Sequence, residues 1–480
     1  MSSTHGQIGR TGAAGHDDHP GHYMPQVLTK TPPEISREIL AATRKVTPRY
    51  KLALAVTGGL LILGIIGFAI RLSDGFEKFT PWAYTMATFA FILSTAAAAP
   101  IVSVGQRMIR SHWRRPLGRA AELFAVAGIL STLLFIPLLL VLPSADNRRS
   151  IWFEYPGAPH VYQIMGVVGL AVLGLALLWV AAIPDLAARR DLDEPGAAKS
   201  WAARLSLNFR GTPRQWSVLR AGLRALGALY FMFYIWIVTI VAADFAHALI
   251  PGYKDAIFPA HQALNGLQCG LAATLVAAFL LKKFGGYNDF LTVDQFWSAS
   301  KILLALSLLW AYFWASAFMI YWYGRQPQES VILRIFYAES YRVPFLISFF
   351  MLFLVPFLGL MWNNVRKSIL GPVIVSCSIL IGSFFDKVRV YVAAFQQGDV
   401  RADALHELHP PAISEVTPPL IPHAPDLMII AGAIGGVIFL YLLAAKFIPP
   451  VSIWEVSEGT LYRKTVKFLK RSIMVMGKPE

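Results

Sequence analysis

A chain of 480 residues with 56% hydrophobic residues, a mean hydropathy of +0.52 and only 15% charged residues is too apolar for an ordinary soluble globular protein. Its formal net charge of +15 does not call for nucleic acid, because the basic residues fall between apolar runs, where they set membrane orientation and attract anionic lipid. No Walker, dinucleotide-binding or HExxH motif occurs, which removes nucleotide hydrolysis and zincin chemistry.

Residues 1–50 are polar and carry His5, His16, His19 and His22 without metal-ligand spacing. They lack the apolar core and cleavage site of a signal peptide and read as a disordered cytoplasmic tail. Ten apolar runs of bilayer-spanning length follow, at 51–71, 80–105, 119–142, 160–183, 217–249, 259–281, 295–322, 343–363, 370–395 and 426–447. All read as helices: Leu52 to Ile70 is apolar but for Thr57, and Leu427 to Ala445 is apolar throughout, whereas a barrel needs short alternating segments. The expected fold is an all-α polytopic membrane protein with ten transmembrane helices over 51–447. Residues 448–480 form a basic cytoplasmic tail, of which Trp454 to Met476 suits an amphipathic helix on the membrane or a docking arm for a partner.

Lys and Arg cluster after the second run (Arg107, Arg110, Arg114, Arg115, Arg119) and the fourth (Arg189, Arg190, Lys199, Arg204, Arg210, Arg214), then at Lys282, Lys283, Arg366 and Lys367. Those loops, and with them both termini, are therefore expected on the cytoplasmic side. Alternate loops mix signs, as in Arg71, Asp74, Glu77 and Lys78, or Asp146, Arg148, Arg149 and Glu154.

This orientation puts the segment from Ala243 to His261 near the external ends of the fifth and sixth runs. Asp244 and His247 are three apart on a helix and share a face, and His261 opens the next span. Partly buried groups of this kind can pass protons at neutral pH, so Asp244 and His247 are the candidate catalytic pair. Asp386 and Arg389, again at helical spacing, flank Lys387 in the ninth run. On the inner side Glu122, one turn from Arg119, and Lys301, after Asp294, are read as the mouth of a proton pathway that also uses Asp386 and Arg389. Hydroxyls at Tyr230, Tyr234, Ser307 and Tyr312 would connect the two groups through water. The alternative for each charge is an ion pair that only orders the bundle, with Arg119 snorkelling onto Glu122. No metal site is expected, and Cys269 and Cys377, without a CxxC partner, read as core residues.

The segment Asp244-Phe245-Ala246, with Ile250-Pro251-Gly252-Tyr253 and Ile257-Phe258-Pro259, resembles the signature of the NrfD/PsrC family of membrane subunits, in particular the ActC and ActF branches of bacterial alternative complex III. Further stretches agree in order: Trp113-Arg114 then Arg119-Ala120-Ala121-Glu122; Ile183-Pro184-Asp185-Leu186-Ala187; Ser300-Lys301; and Tyr321-Trp322-Tyr323-Gly324 with Pro327 and Glu329. The resemblance lies within about residues 50–395. It implies two four-helix bundles plus flanking helices in a bacterial inner membrane, serving a quinol:electron acceptor oxidoreductase of a respiratory or photosynthetic chain. It further implies bound quinol or menaquinol near Asp244, His247 and His261, with no covalently bound cofactor. Iron-sulfur clusters and haems would reside on partners: an iron-sulfur/molybdopterin-like subunit on the outer face, a multihaem cytochrome c and a second NrfD-like subunit.

Three departures bear on quinol. Where ActC-like members carry Gly-His-Ala-Gly in the second span, this chain reads Ser94-Thr95-Ala96-Ala97-Ala98-Ala99-Pro100, and Gln163 and Ala317 replace an expected aspartate and glutamate. The stretch from Ala317 to Tyr323 reads more like the ActF branch, associated with proton translocation. Asp244 and His247 are therefore expected either to accept quinol protons or to belong to a proton conduit. The alternative class is a secondary transporter or ion channel with an intramembrane charged site, for which inverted repeats and a midplane site at broken helices would be the mark. A haem-bearing cytochrome fits poorly, since His247 and His261 lie near the loop between adjacent helices.

Overall fold

The computed structural model describes residues 30–142, 158–193, 196–250, 252–404, 416–468 and 471–476. The tail histidines His5, His16, His19 and His22, the charged loop from Asp146 to Glu154, Pro251 and Lys470 lie outside the described residues.

The chain enters through α1 (Pro32–Arg44), which starts where the Glu34 carboxylate accepts the Thr31 N–H at 2.8 Å and which buries Ile35, Ile39, Leu40 and Thr43. Residues 32–44 are thus a packed helix and not part of the tail expected over 1–50; the apolar 35/39/40 spacing on one face is the reason. Nine helices among the described residues are long and apolar enough to cross a membrane. Eight come in succession: α2 (Pro48–Leu72), α3 (Thr80–Met108), α4 (Arg115–Val141), α5 (His160–Leu192), α6 (Pro213–His247), α7 (Phe258–Phe284), α8 (Val293–Gly324) and α9 (Arg342–Met361). Next is α10, running Leu370–Lys387, through a π turn at Val388–Val392, into Ala393–Ala404. The ninth helix of membrane length is α11 (Ala424–Phe447). Their outward faces expose Leu52, Ile62, Val161, Met232, Tyr312 and Ile374, an apolar surface suited to lipid and ill suited to water. The architecture is that of a helical multi-pass membrane protein.

Breaks in the helices have local causes. Pro100 has no N–H and crowds the preceding turn, so α3 opens at Ala96–Ala98, and the freed Ala97 carbonyl accepts the Tyr230 hydroxyl at 2.6 Å. Besides Val388–Val392, π turns occur at Ala243–His247, Arg334–Ala338 and Phe350–Leu354.

α2 and α11 meet through glycines. A Cβ on Gly64 would stand 2.6 Å from the Gly432 Cα, so only glycine permits this approach. The same pair is pinned at one end by Arg71, which grips Asp426 with Nε at 3.0 Å and a terminal nitrogen at 2.6 Å and also holds Asp74 at 2.8 Å.

Beyond α11, α12 (Ile453–Leu461) packs against α1, and Lys446 donates to the carbonyls of Thr43 and Lys45 at 2.9 and 2.8 Å. The described ends of the chain therefore lie together at one end of the bundle. After α12, β1 (Arg463–Phe468) pairs antiparallel with β2 (Arg471–Met476), Phe468 opposite Arg471. This hairpin replaces the amphipathic helix expected as far as Met476. The run Lys464-Thr465-Val466-Lys467-Phe468 alternates with period two and includes β-branched residues, a strand pattern that the isolated apolar positions obscured.

Candidate functional site

Two buried polar clusters occupy opposite ends of the helices. The first forms where α6 ends and α7 begins, and it is built by α5, α6, α7 and α10.

α6 finishes in the π turn Ala243–His247, closed by the Ala248 N–H on the Ala243 carbonyl at 2.9 Å. A turn closed from residue i to i+5 is wider than an α turn, and it rotates His247 off the face that Asp244 occupies. Asp244 is fully buried and accepts Gln163 Nε2 of α5 at 2.5 Å. His247 instead sits in an aromatic box, its ring 4.4 Å from that of Tyr253 and 5.0 Å from Phe258. Among the described residues no hydrogen bond or ion pair joins Asp244 to His247, so the expected pair is two separate groups. His261 packs against Trp310 at 5.1 Å, and the Nε2 atoms of both His247 and His261 are buried without a hydrogen-bond partner among the described residues.

One turn deeper, α7 and α10 share a denser network. Arg389 donates to Asp386 Oδ1 at 2.7 Å, and Gln262 Nε2 reaches Oδ2 of the same carboxylate at 3.4 Å. Lys387, fully buried, donates to Asn265 Oδ1 at 3.0 Å and to Gln262 Oε1, with Asp386 Oδ2 at 4.0 Å. Ser383 donates to Asn265 Oδ1 at 2.9 Å. The Arg389 guanidinium lies 5.2 to 5.7 Å from the ring centroids of Tyr337, Phe336 and Phe345, so aromatic faces take up the charge that the carboxylate does not. Farther along α7, Gln268 donates to Ser307 at 2.9 Å and to the Leu352 carbonyl at 2.9 Å.

Asp255, in the loop before α7, caps that helix by accepting the N–H groups of Ile257 at 2.9 Å and Phe258 at 3.2 Å. Burial raises its carboxyl above the ordinary aspartate range, and those two N–H groups only partly offset this.

The second cluster, at the Arg119 end, is a closed ion network. Arg107 reaches Glu122 at 2.5 Å and Glu455 at 3.1 Å; Arg114 reaches Glu455 at 2.7 Å; Arg119 bonds Glu122 at 3.1 Å and Asp185 at 3.1 Å. Three guanidiniums thus face three carboxylates, all largely withdrawn from solvent. Ser103 supplies Glu122 with a further hydrogen bond at 2.7 Å. Glu455 comes from α12: burial would raise its carboxyl, but the guanidiniums of Arg114 and Arg107 outweigh that and lower it to about 2.

Of the expected inner mouth, Glu122 lies in this network and Lys301 does not. Lys301 is exposed, its ammonium 3.9 Å from the Trp297 ring centroid. Tyr312 also faces outward, 63% exposed, and takes no part in an internal route. Tyr230 is engaged with Ala97, whereas Tyr234, fully buried and with no hydrogen-bond partner for its hydroxyl among the described residues, presses on Gly266 of α7, where any Cβ would overlap it.

Gln262, Asn265 and Gln268 are not among the residues expected from the sequence. Their three-residue spacing is a polar stripe along an otherwise apolar helix, and that stripe was the available signal. Glu455 likewise falls in the segment expected as a tail. An apolar groove of about 420 Å³ between α2, α4 and α11 is lined by residues such as Leu61, Phe68, Leu134 and Pro137 and brings no titratable group to the site. Among the described residues no group of three or more His, Cys, Asp or Glu side chains is arranged to hold a metal ion.

No family model matches the chain, and a search of curated proteins finds no match.

Proposed function

We propose that this chain is a membrane subunit of a quinol-linked electron-transfer complex, and that its task is to handle protons at the end where α6, α7 and α10 converge. The observation that carries the reading is the stripe of buried polar side chains from His261 through Gln262, Asn265 and Gln268, with Asp386, Lys387 and Arg389 packed on it. Buried ionisable groups are costly in a membrane and are retained where protons or ions are handled. On this proposal α10 is also a span, giving the ten helices in two four-helix bundles with flanking helices that the NrfD/PsrC resemblance implies. In this reading the charged end faces outward, the termini lie in the cytoplasm of a bacterium, and an iron-sulfur/molybdopterin-like subunit docks beside Asp244. A multihaem cytochrome c and a second NrfD-like subunit complete the electron path, with all clusters and haems on the partners. The partnerless nitrogens of His247 and His261 are available to quinol hydroxyls or to a proton chain.

One observation favours the second class, a secondary transporter: α6 and α10 both contain π turns beside their charges, and broken helices are where transporters place coupling ions. Isolation from native membranes separates the two. Co-purification with iron-sulfur and multihaem subunits supports the redox reading, and a lone functional chain overturns it. Within the complex, Asp244→Asn should leave assembly intact and abolish coupled turnover; wild-type quinol oxidation with normal proton release would remove Asp244 from the mechanism.

A further inference from the structure

Lys387 is held in an unusual way. Its side chain is fully buried, yet its closest contacts are two neutral amide oxygens, Gln262 Oε1 and Asn265 Oδ1, and the nearest carboxylate oxygen, Asp386 Oδ2, stands 4.0 Å away. That carboxylate already has a partner in Arg389 at 2.7 Å, so Lys387 is not required to neutralise it. The oxygens are themselves braced. Ser383 donates to Asn265 Oδ1, and the Gln262 amide bridges the ammonium and Asp386 by accepting with its oxygen and donating with its nitrogen. Two amide oxygens on one point, with a carboxylate oxygen 4.0 Å from it, inside a low-dielectric bundle form an environment that disfavours emptiness and favours a positive charge. An ammonium with three donors matches it; so does a small hard cation, which takes oxygen ligands of this kind.

We propose that Lys387 is the tethered occupant of a monovalent-cation site, and that by filling the cage of Gln262, Asn265 and Asp386 it bars free sodium or lithium from the centre of the polar stripe. The residue then sets ion specificity: with the cage occupied by its own ammonium, the stripe is left to protons. The groups that face the ammonium are Asp386 and Arg389 of α10 and Cys269 of α7, with His261 acting on the same carboxylate. The proposal needs no redox partner, since it concerns cation binding to this chain alone.

The test is thermal melting of the purified full chain in detergent, at constant ionic strength, with choline chloride exchanged for sodium, lithium or potassium chloride. Wild type should melt at the same temperature in each salt. Lys387→Ala vacates the cage and leaves its oxygens in place, and it should gain a saturable upward shift in sodium or lithium that choline does not produce. The shift should vanish in the double variant Lys387→Ala with Asn265→Leu. Lys387→Ser, which offers a hydroxyl as a further ligand, should respond in the same sense and serves if the alanine variant is poorly folded. A folded Lys387→Ala or Lys387→Ser chain that melts identically in all four salts overturns the proposal. So does failure of both variants to fold in sodium, because a cage that fits the ion should be restored by it.

Discussion

The Asp185 carboxylate on α5 accepts the backbone N–H of Ile453 at 3.0 Å, so one helix caps another that begins 268 residues later. The same carboxylate takes the Trp454 N–H at 3.2 Å, the Ser452 hydroxyl at 3.2 Å and Arg119 at 3.1 Å. Asp185→Ala should therefore remove a cap and leave the buried network with three guanidiniums facing two carboxylates, at a cost of about 3–5 kcal/mol. Tryptic cleavage at Arg463 and Lys464 should become several-fold faster while the membrane-embedded part stays intact. An unchanged cleavage rate would mean that α12 is held by other contacts.

Glu455 makes that docking depend on pH. Its carboxyl is lowered to about 2 in the folded chain, from an ordinary value of 4.5. A depressed carboxyl contributes stability that is complete above the unfolded value and is lost as pH falls through the folded one. The contribution of Glu455 to α12 docking should thus be complete at pH 5 and above and be lost progressively from roughly pH 4.5 toward 2, read by hydrogen exchange as the difference between wild type and Glu455→Gln. Glu455→Gln should show the acid-released exchange pattern already at neutral pH.

Removing one partner of the Asp386–Arg389 pair leaves the other charged and buried. Asp386→Ala is expected to cost about 3–5 kcal/mol in unfolding measured in detergent, and Arg389→Ala a similar amount. The double replacement should cost less than the sum of the two, because it leaves neither charge alone. Additive losses would show that the two residues are not energetically coupled.

Gly432→Leu should separate α2 from α11. A Cβ on Gly432 would stand 2.2 Å from the Gly64 Cα, so a leucine side chain has no room there, and a loss of about 1–3 kcal/mol is expected. Disulfide trapping of cysteines placed at Leu61 and Gly436 should fall sharply in that variant; undiminished trapping would argue for a different contact.

Much of the fold was legible because membrane length and apolarity are properties of single segments. The limits expected for the runs at 80–105, 259–281 and 426–447 match α3, α7 and α11 to within about three residues. The site was less legible, since it depends on helix phase. Asp244 and His247 share a face only in an α-helix, and the π turn separates them; no pattern in Ala243 to Ala248 announces that turn. Gln163 stands in the sequence where the resemblance expects an aspartate, but its partnership with Asp244 links residues 81 apart and is a fact of packing. Likewise Glu455 sits among apolar and serine residues in the sequence, and only the fold brings Arg107 and Arg114 to it.

The contact between Gly64 and Gly432 ties the first membrane-length helix among the described residues to the last of them. On a ribosome that makes the chain from its amino end, α2 enters the bilayer long before its glycine-faced partner exists. It must wait there as a solitary rod, which suits a helix whose apolar window is only 11% buried in the finished molecule and whose Arg71 already has Asp74 as a provisional partner. Closure of the bundle is thereby postponed until α11 has been synthesised, and a truncated product lacking that helix would be left with its first span adrift in lipid.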